Sequence, residues 1–178
     1  MARLTKAEIL RLLRLLDAEL AHEDATAEVY LVGGAVMCLV FGARDSTHDV
    51  DAVFRPATLV RQAAARIAAR SGAPEHWLND AVKGLIGTRG DFDVYLELPH
   101  LRVFAARAEY LLAMKCVALR LGAEFHDLDD VRYLLRHMNI SKANDALDIV
   151  TRYFDPSAVP AKARLALEEL LGSRNGAA

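Results

Sequence analysis

Apolar residues recur at helical spacing from the beginning of the chain. Leu4, Ile9, Leu12, Leu13, Leu16 and Leu20 fall along one face with charges between them, which predicts an amphipathic helix to about Ala21, packed on a domain. Thr5 followed three residues later by Glu8 makes a capping box at its start. The period then shortens to that of a strand at Val29 to Val32. A helix follows from Gly34 to about Phe41, then a strand from Val50 to Phe54. The next helix runs from about Ala57 to Ser71, entered after Pro56 and closed at Gly72. Trp77 to Gly84 follows neither period. Phe92 to Leu98 alternates as a strand, and Val103-Phe104 is another short candidate. Helical patterns cover Ala108 to Leu121, Leu128 to His137, Ala143 to Tyr153 and Ala161 to Leu171.

Strands therefore dominate the first half and helices the second. The expected fold class is α/β (α+β), a small mixed β-sheet core with helices and an α-helical C-terminal part. The expected organisation is an α/β core with its N-terminal helix over residues 1–107 and a helical part over 108–178, packed with the core as one compact unit.

Composition narrows the partners. With 178 residues the chain is long enough to bury a proper core, and its formal net charge of -2 carries no global nucleic-acid signature. An RNA or DNA partner would have to be held by a local basic patch. Arg61, Arg66 and Arg70 fall along one side of a helix, and Arg132 and Arg136 are four apart on another. Such arginines read either as solvated faces or as the grip on an RNA backbone. Cys38 and Cys116 each lie in an apolar run, which suits buried free thiols in a reducing cytosol. Met1 to His22 has charges spread through it and lacks the apolar stretch of a signal peptide or membrane span. A cytoplasmic protein with no membrane partner is the expectation, its small polar tail Gly172 to Ala178 frayed.

Candidate chemistry concentrates where a glycine turn precedes an acidic strand. Gly33-Gly34 follows the first apolar strand, and glycine lets the backbone turn tightly and approach a phosphate. Asp49 and Asp51 alternate with Val50 and Ala52, so the two carboxylates share a face while the apolar residues point into the core. Two carboxylates on one rigid face invite a cation, and hard oxygens completed by substrate phosphates suit Mg²⁺. Each half has a plain alternative, a simple turn and a solvated strand edge. Lys115 stands in the middle of the apolar run Glu109 to Arg120, where either its stem snorkels or its charge meets an anion. Asp127 is a plausible N-cap for the helix that follows, and Asp129 and Asp130 favour its dipole.

Taken in order, Gly33-Gly34, a helix, Arg44-x-x-Thr47 and Asp49-x-Asp51 resemble the first motif of the DNA polymerase β-like nucleotidyltransferase superfamily. With Leu-Leu-Ala-Met-Lys115-x-x-Ala-Leu-Arg and Asp127-Leu-Asp-Asp130-Val added, the chain resembles the AbiEii-type and MenT-type nucleotidyltransferases of bacterial toxin–antitoxin systems. The resemblance runs from about Tyr30 to Tyr153 and is closest to small single-domain members, in which Trp77 to Gly84 has a familiar form. It implies that Gly33 and Gly34 shape the phosphate turn and that Asp49 and Asp51 hold catalytic metal, Mg²⁺ or Mn²⁺. It further implies that Lys115 contacts the nucleotide phosphates, that Asp130, with Asp127, completes the site, and that Arg44 and Thr47 form the element preceding the metal carboxylates. The broader superfamily usually carries a third metal carboxylate on a later strand. Asp93 is the candidate, with Asp91 either on the same face or part of the Arg89-Gly90-Asp91 turn.

Other residues keep two readings. Asn79, Asp80 and Lys83 line a nucleotide pocket, or Asn79 caps a helix. Trp77 is a core anchor first and a base-stacking platform second. His48 points away from the strand carboxylates and belongs to packing or surface. The expected activity is a metal-dependent enzyme that moves NMP from an NTP onto an acceptor with pyrophosphate released. By family resemblance the acceptor is the 3′ end of tRNA and the protein a toxin with a cognate antitoxin. The alternatives are transfer to a protein or to a small molecule of the aminoglycoside kind, and a nucleotide-binding regulatory module without turnover.

Overall fold

In the computed structural model, residues 3–86, 89–122 and 125–172 are described. The chain is mixed α/β and divides into two compact units, Met1–Gly84 with Phe92–Ala106, and Leu85–Asp91 with Arg107–Ala178.

The first unit begins with β1 (Leu4–Thr5) and α1 (Lys6–His22), whose capping box is formed as expected: the Thr5 hydroxyl accepts the Glu8 N–H, and the Glu8 carboxylate accepts the Thr5 N–H. Next come β2 (Ala27–Leu31), α2 (Gly33–Leu39), β3 (Ser46–Thr47), β4 (Val50–Arg55), α3 (Ala57–Ser71) and β5 (Leu78–Asn79), then a 3₁₀ turn at Ala81–Gly84. β6 (Phe92–Glu97) and β7 (Leu101–Ala106) complete it. The five-stranded sheet has the order β5-β4-β2-β7-β6, with parallel pairing at β5/β4 and β2/β7 and antiparallel pairing elsewhere. β1 and β3 form a separate two-stranded ribbon.

One face of the sheet is apolar along β2, β4 and β7. Val29, Leu31, Val50, Ala52, Phe54, Leu101 and Val103 are all buried there, with α1 and α3 packed on that side through Leu12, Leu16, Val60 and Ile67. The opposite face carries Tyr30, Val53, Phe92 and Phe104, all half-buried, with Tyr30 stacked on Phe104 at 4.7 Å between ring centroids. Asp51 belongs to this second face.

β1 and β3 are not among the expected strands, and within the five-stranded sheet β7 and β5 differ most from the sequence reading. β7 is a six-residue strand at the sheet's interior rather than the short Val103-Phe104 candidate, because alanines weaken the local strand signal at Ala105-Ala106 while pairing with β2 and β6 on both sides supplies the ladder. Trp77 to Gly84, which had no period, contains β5. Trp77 is fully buried and its indole Nε1 donates to the Ala64 carbonyl at 3.1 Å, so it is the core anchor, with no exposed ring for a base to stack on.

The second unit contains α4 (Ala108–Val117), α5 (Asp127–His137), α6 (Ala143–Tyr153) and α7 (Ala161–Gly172). α4 is buried nearly all round, through Tyr110, Leu111, Leu112, Ala113, Met114 and Cys116. It stops four residues short of the expected Leu121, and Gly122 at φ 141° turns the chain where an L side chain would be strained. Residues 173–178 of the expected frayed tail lie outside the described residues. Both cysteines are free and buried as expected, and burial pushes the Cys116 thiol up to about 12. Among the described residues no helix is long and apolar enough to cross a membrane.

Candidate functional site

In the first unit the glycine turn and the acidic strand meet. The Val32 N–H donates to the Asp51 carbonyl at 2.9 Å, which fixes Gly33 and Gly34, the first two residues of α2, beside that residue. The two glycines are required for different reasons. Gly33 has φ 62°, and a Cβ there would stand 3.0 Å from Asp51 Oδ2. A Cβ at Gly34 would lie 2.7 Å from Thr47 Oγ1 and 3.1 Å from Arg44 Nη1. Thr47 is buried, and Leu4 pairs with it across the small ribbon, so the N-terminal strand braces the Arg44 to Thr47 loop. Gly33, Gly34, Arg44, Thr47, Asp49 and Asp51 are thus gathered in one place. Asp49 lies just before β4 rather than within it, and His48 is exposed.

Asn79 joins this group. In the β4/β5 register it stands opposite Asp51, and its Nδ2 donates to Asp49 Oδ2 at 2.7 Å and to Asp51 Oδ1 at 2.9 Å. Its Oδ1 accepts the Ala81 N–H at 3.1 Å. Asn79 therefore starts the 3₁₀ turn, as one of its two sequence readings has it, and its amide also reaches the acidic pair. The available signal was Trp77 two residues earlier, since an indole buried against α3 fixes the strand on which Asn79 sits. Asp80 and Lys83 turn elsewhere. The Arg61 guanidinium, 2.6 Å from Asp80, holds that carboxyl below the usual range, and Lys83 approaches the same oxygen.

Asp93 does not join the pair. The registers Asp93↔Ala105, Ala105↔Leu31 and Leu31↔Ala52 put its side chain on the Ala52 face, opposite to that of Asp51. It is also three strands away, about 14 Å at ordinary strand spacing. The expectation failed because alternation places a residue on one of two faces but leaves strand order open. Asp91 does not pair with it either; its carboxylate accepts the Tyr153 hydroxyl at 3.0 Å in the second unit. Among the described residues no group of three or more His, Cys, Asp or Glu side chains converges. Asp49 and Asp51 remain a two-carboxylate set, which fits Mg²⁺ because that ion commonly takes one or two protein carboxylates and completes its shell with waters and phosphates.

The second unit gathers the other predicted residues. Lys115 Nζ lies 3.0 Å from Asp127 Oδ1 and 2.7 Å from Asp130 Oδ2. All three side chains are largely withdrawn from solvent, at 11%, 5% and 3% exposure. Asp127 Oδ2 also accepts from Arg120, through both Nε at 2.9 Å and the backbone N–H at 3.1 Å. Burial pushes the Asp127 carboxyl up, but Arg120 and Lys115 outweigh it and hold it below the usual range. The Lys115 charge therefore meets anions rather than snorkelling. Asp127 is not the N-cap, a position taken by His126; its carboxylate is spent on Arg120 and Lys115 instead.

The arginine rows prove to be largely committed to carboxylates. Arg66 pairs with Glu19 and Glu23, Arg70 with Glu19, Arg61 with Asp80, and Arg132 with Asp129. The α3 row thus ties that helix to α1 and to the β5 edge instead of forming an uncommitted basic patch. No protein-family model matches the chain, and neither a curated protein nor a solved structure matches it.

Proposed function

We propose that this protein is a metal-dependent nucleotidyltransferase that moves a nucleoside monophosphate from an NTP onto an acceptor hydroxyl. The observation that carries this reading is the placement of Asp49 and Asp51 side by side against the Gly33-Gly34 turn, with Asn79 spanning them. Asp49 and Asp51 would hold Mg²⁺ or Mn²⁺, which when bound neutralises phosphate charge and lowers the pKa of the attacking hydroxyl. The rest of the contribution is positioning. Gly33 lets Asp51 Oδ2 come close to the turn, and Thr47 and Arg44 close against Gly34 to fix it. The acceptor oxygen bonds to the α-phosphorus, the bond from that phosphorus to the bridging oxygen breaks, and pyrophosphate leaves with the electron pair while the hydroxyl proton passes to solvent.

The motif order supplies the finer reading. It gives Lys115 the nucleotide phosphates, with Asp127 and Asp130 orienting the ammonium. It gives the 3′ end of tRNA as acceptor, growth arrest as the consequence, a separately encoded antitoxin as partner, and the cytoplasm as location. The test is incubation of the purified protein with Mg²⁺ or Mn²⁺, each α-labelled NTP in turn, and total bacterial RNA. The expected result is label in the tRNA band with one or two NTPs, reduced on the order of 100-fold or more by Asp49→Ala, as loss of a metal ligand demands. Label on a protein or small molecule would move the acceptor and keep the transferase. Absence of label on any acceptor, or labelling undiminished by Asp49→Ala, would overturn the reading.

A further inference from the structure

Two carboxylates two residues apart in one chain segment repel, and a group that bridges them sets their spacing in the absence of an ion. Asn79 is such a group, and it is uncharged. One amide nitrogen of Asn79 lies within hydrogen-bond distance of both Asp49 Oδ2 and Asp51 Oδ1. A primary amide has two N–H bonds, so it serves two acceptors at once without a charge that would compete with a cation. The orientation of the amide is fixed from its other end, because Oδ1 accepts the Ala81 N–H and only Nδ2 is left to face the acids. Its backbone is fixed as well. Val50 pairs with Leu78 and Asp51 with Asn79, while the Val50 N–H donates to the Trp77 carbonyl at 2.7 Å and the Trp77 indole is locked to Ala64.

The two oxygens of Asp51 are thereby apportioned: Oδ1 is turned to Asn79, and Oδ2 lies on the side where Gly33 has no side chain. We infer that Asn79 is a positioning residue of the metal site, an amide clamp that sets the spacing of Asp49 and Asp51 and directs Asp51 Oδ2 toward the glycine turn before any ion arrives. The inference rests on the proposed metal role of that pair. Partners that orient metal ligands in this way typically change affinity by about 10–100-fold when lost. A turn-starting Asn with no part in ion binding would change stability alone.

The experiment is Mn²⁺ binding to the full-length protein, followed by electron paramagnetic resonance of free Mn²⁺, for wild type, Asp49→Asn, Asn79→Ala and Asn79→Asp. Thermal melts are run in EDTA and in Mn²⁺. Wild type should bind Mn²⁺ and Asp49→Asn should not. Asn79→Ala should bind at least about tenfold more weakly. Asn79→Asp keeps the oxygen that accepts the Ala81 N–H but replaces both donors with a third negative charge. It should melt lower than wild type in EDTA and gain more from Mn²⁺ than wild type does. Should Asn79→Ala prove unfolded, the Asn79→Asp melts decide the matter alone. If Mn²⁺ binds wild type through Asp49 but Asn79→Ala binds equally well, or Asn79→Asp melts as wild type does in both conditions, the clamp is refuted and the metal reading stands. If wild type binds no Mn²⁺, the metal reading itself fails and takes the clamp with it.

Discussion

Asp49 and Asp51 in the first unit share the amide of Asn79, whereas Asp127 and Asp130 in the second close on an ammonium and a guanidinium. The first cluster is half-buried and the second almost wholly buried. Burial explains the difference. A carboxylate withdrawn from water needs a counter-charge and hydrogen bonds already in place, or it takes up a proton. A carboxylate that keeps contact with solvent depends less on such partners. The comparison teaches that charged residues in an apolar stretch do not report one kind of site: the buried cluster carries its counter-charges within its unit, and the amide-bridged pair is the one proposed to take a cation.

The largest test of that contrast is Lys115→Met. It leaves two buried carboxylates facing an apolar chain and should cost about 3–5 kcal/mol in urea unfolding, the usual effect of removing one partner from a buried ion pair. A loss below about 1 kcal/mol would mean that Lys115 contributes little to the fold. It would also mean that loss of transfer in a Lys115 variant could be read directly as chemistry. Gly34→Ala should come next, at about 1–3 kcal/mol together with loss of nucleotide transfer, since the added methyl would meet Thr47 Oγ1 closer than such atoms approach and would crowd Arg44. An unchanged melting temperature would show that this loop gives way freely.

The acid limb separates the clusters more finely. Asp127 has a folded pKa below its unfolded one, so its contribution is present above the unfolded value and is lost as pH falls through the folded one. The stability gap between wild type and Asp127→Asn should therefore be flat from about pH 5 to 8 and shrink below about pH 4. A gap that widens in acid would contradict the assigned direction. The smallest effect belongs to Asp93→Ala, which should leave Mn²⁺ binding and transfer within about twofold of wild type, because Asp93 is on the other face of the sheet and remote from β4. A tenfold loss would place Asp93 at the site after all.

What the chain alone determines is local. Period and capping marked α1, β4, α3, α6 and the strand-to-helix change halfway along, because amphipathic spacing and caps act within a few residues. The glycine pair, the acidic strand, the buried thiols and the acidic start of α5 were legible for the same reason. Tertiary structure decided the rest. β7 became an interior strand through pairing on both sides, although its alanines lack strand propensity. β5 exists because Trp77 finds a pocket against α3. Asp93 was separated from Asp51 by strand order, which no local period encodes. Asn79 met two carboxylates about thirty residues away in sequence through one parallel register. Lys115 was visible as a buried charge, but its partners were fixed only when α5 packed on α4. Hydrophobic period and capping depend on neighbours along the chain; charge pairing, strand order and ligand spacing depend on neighbours in space.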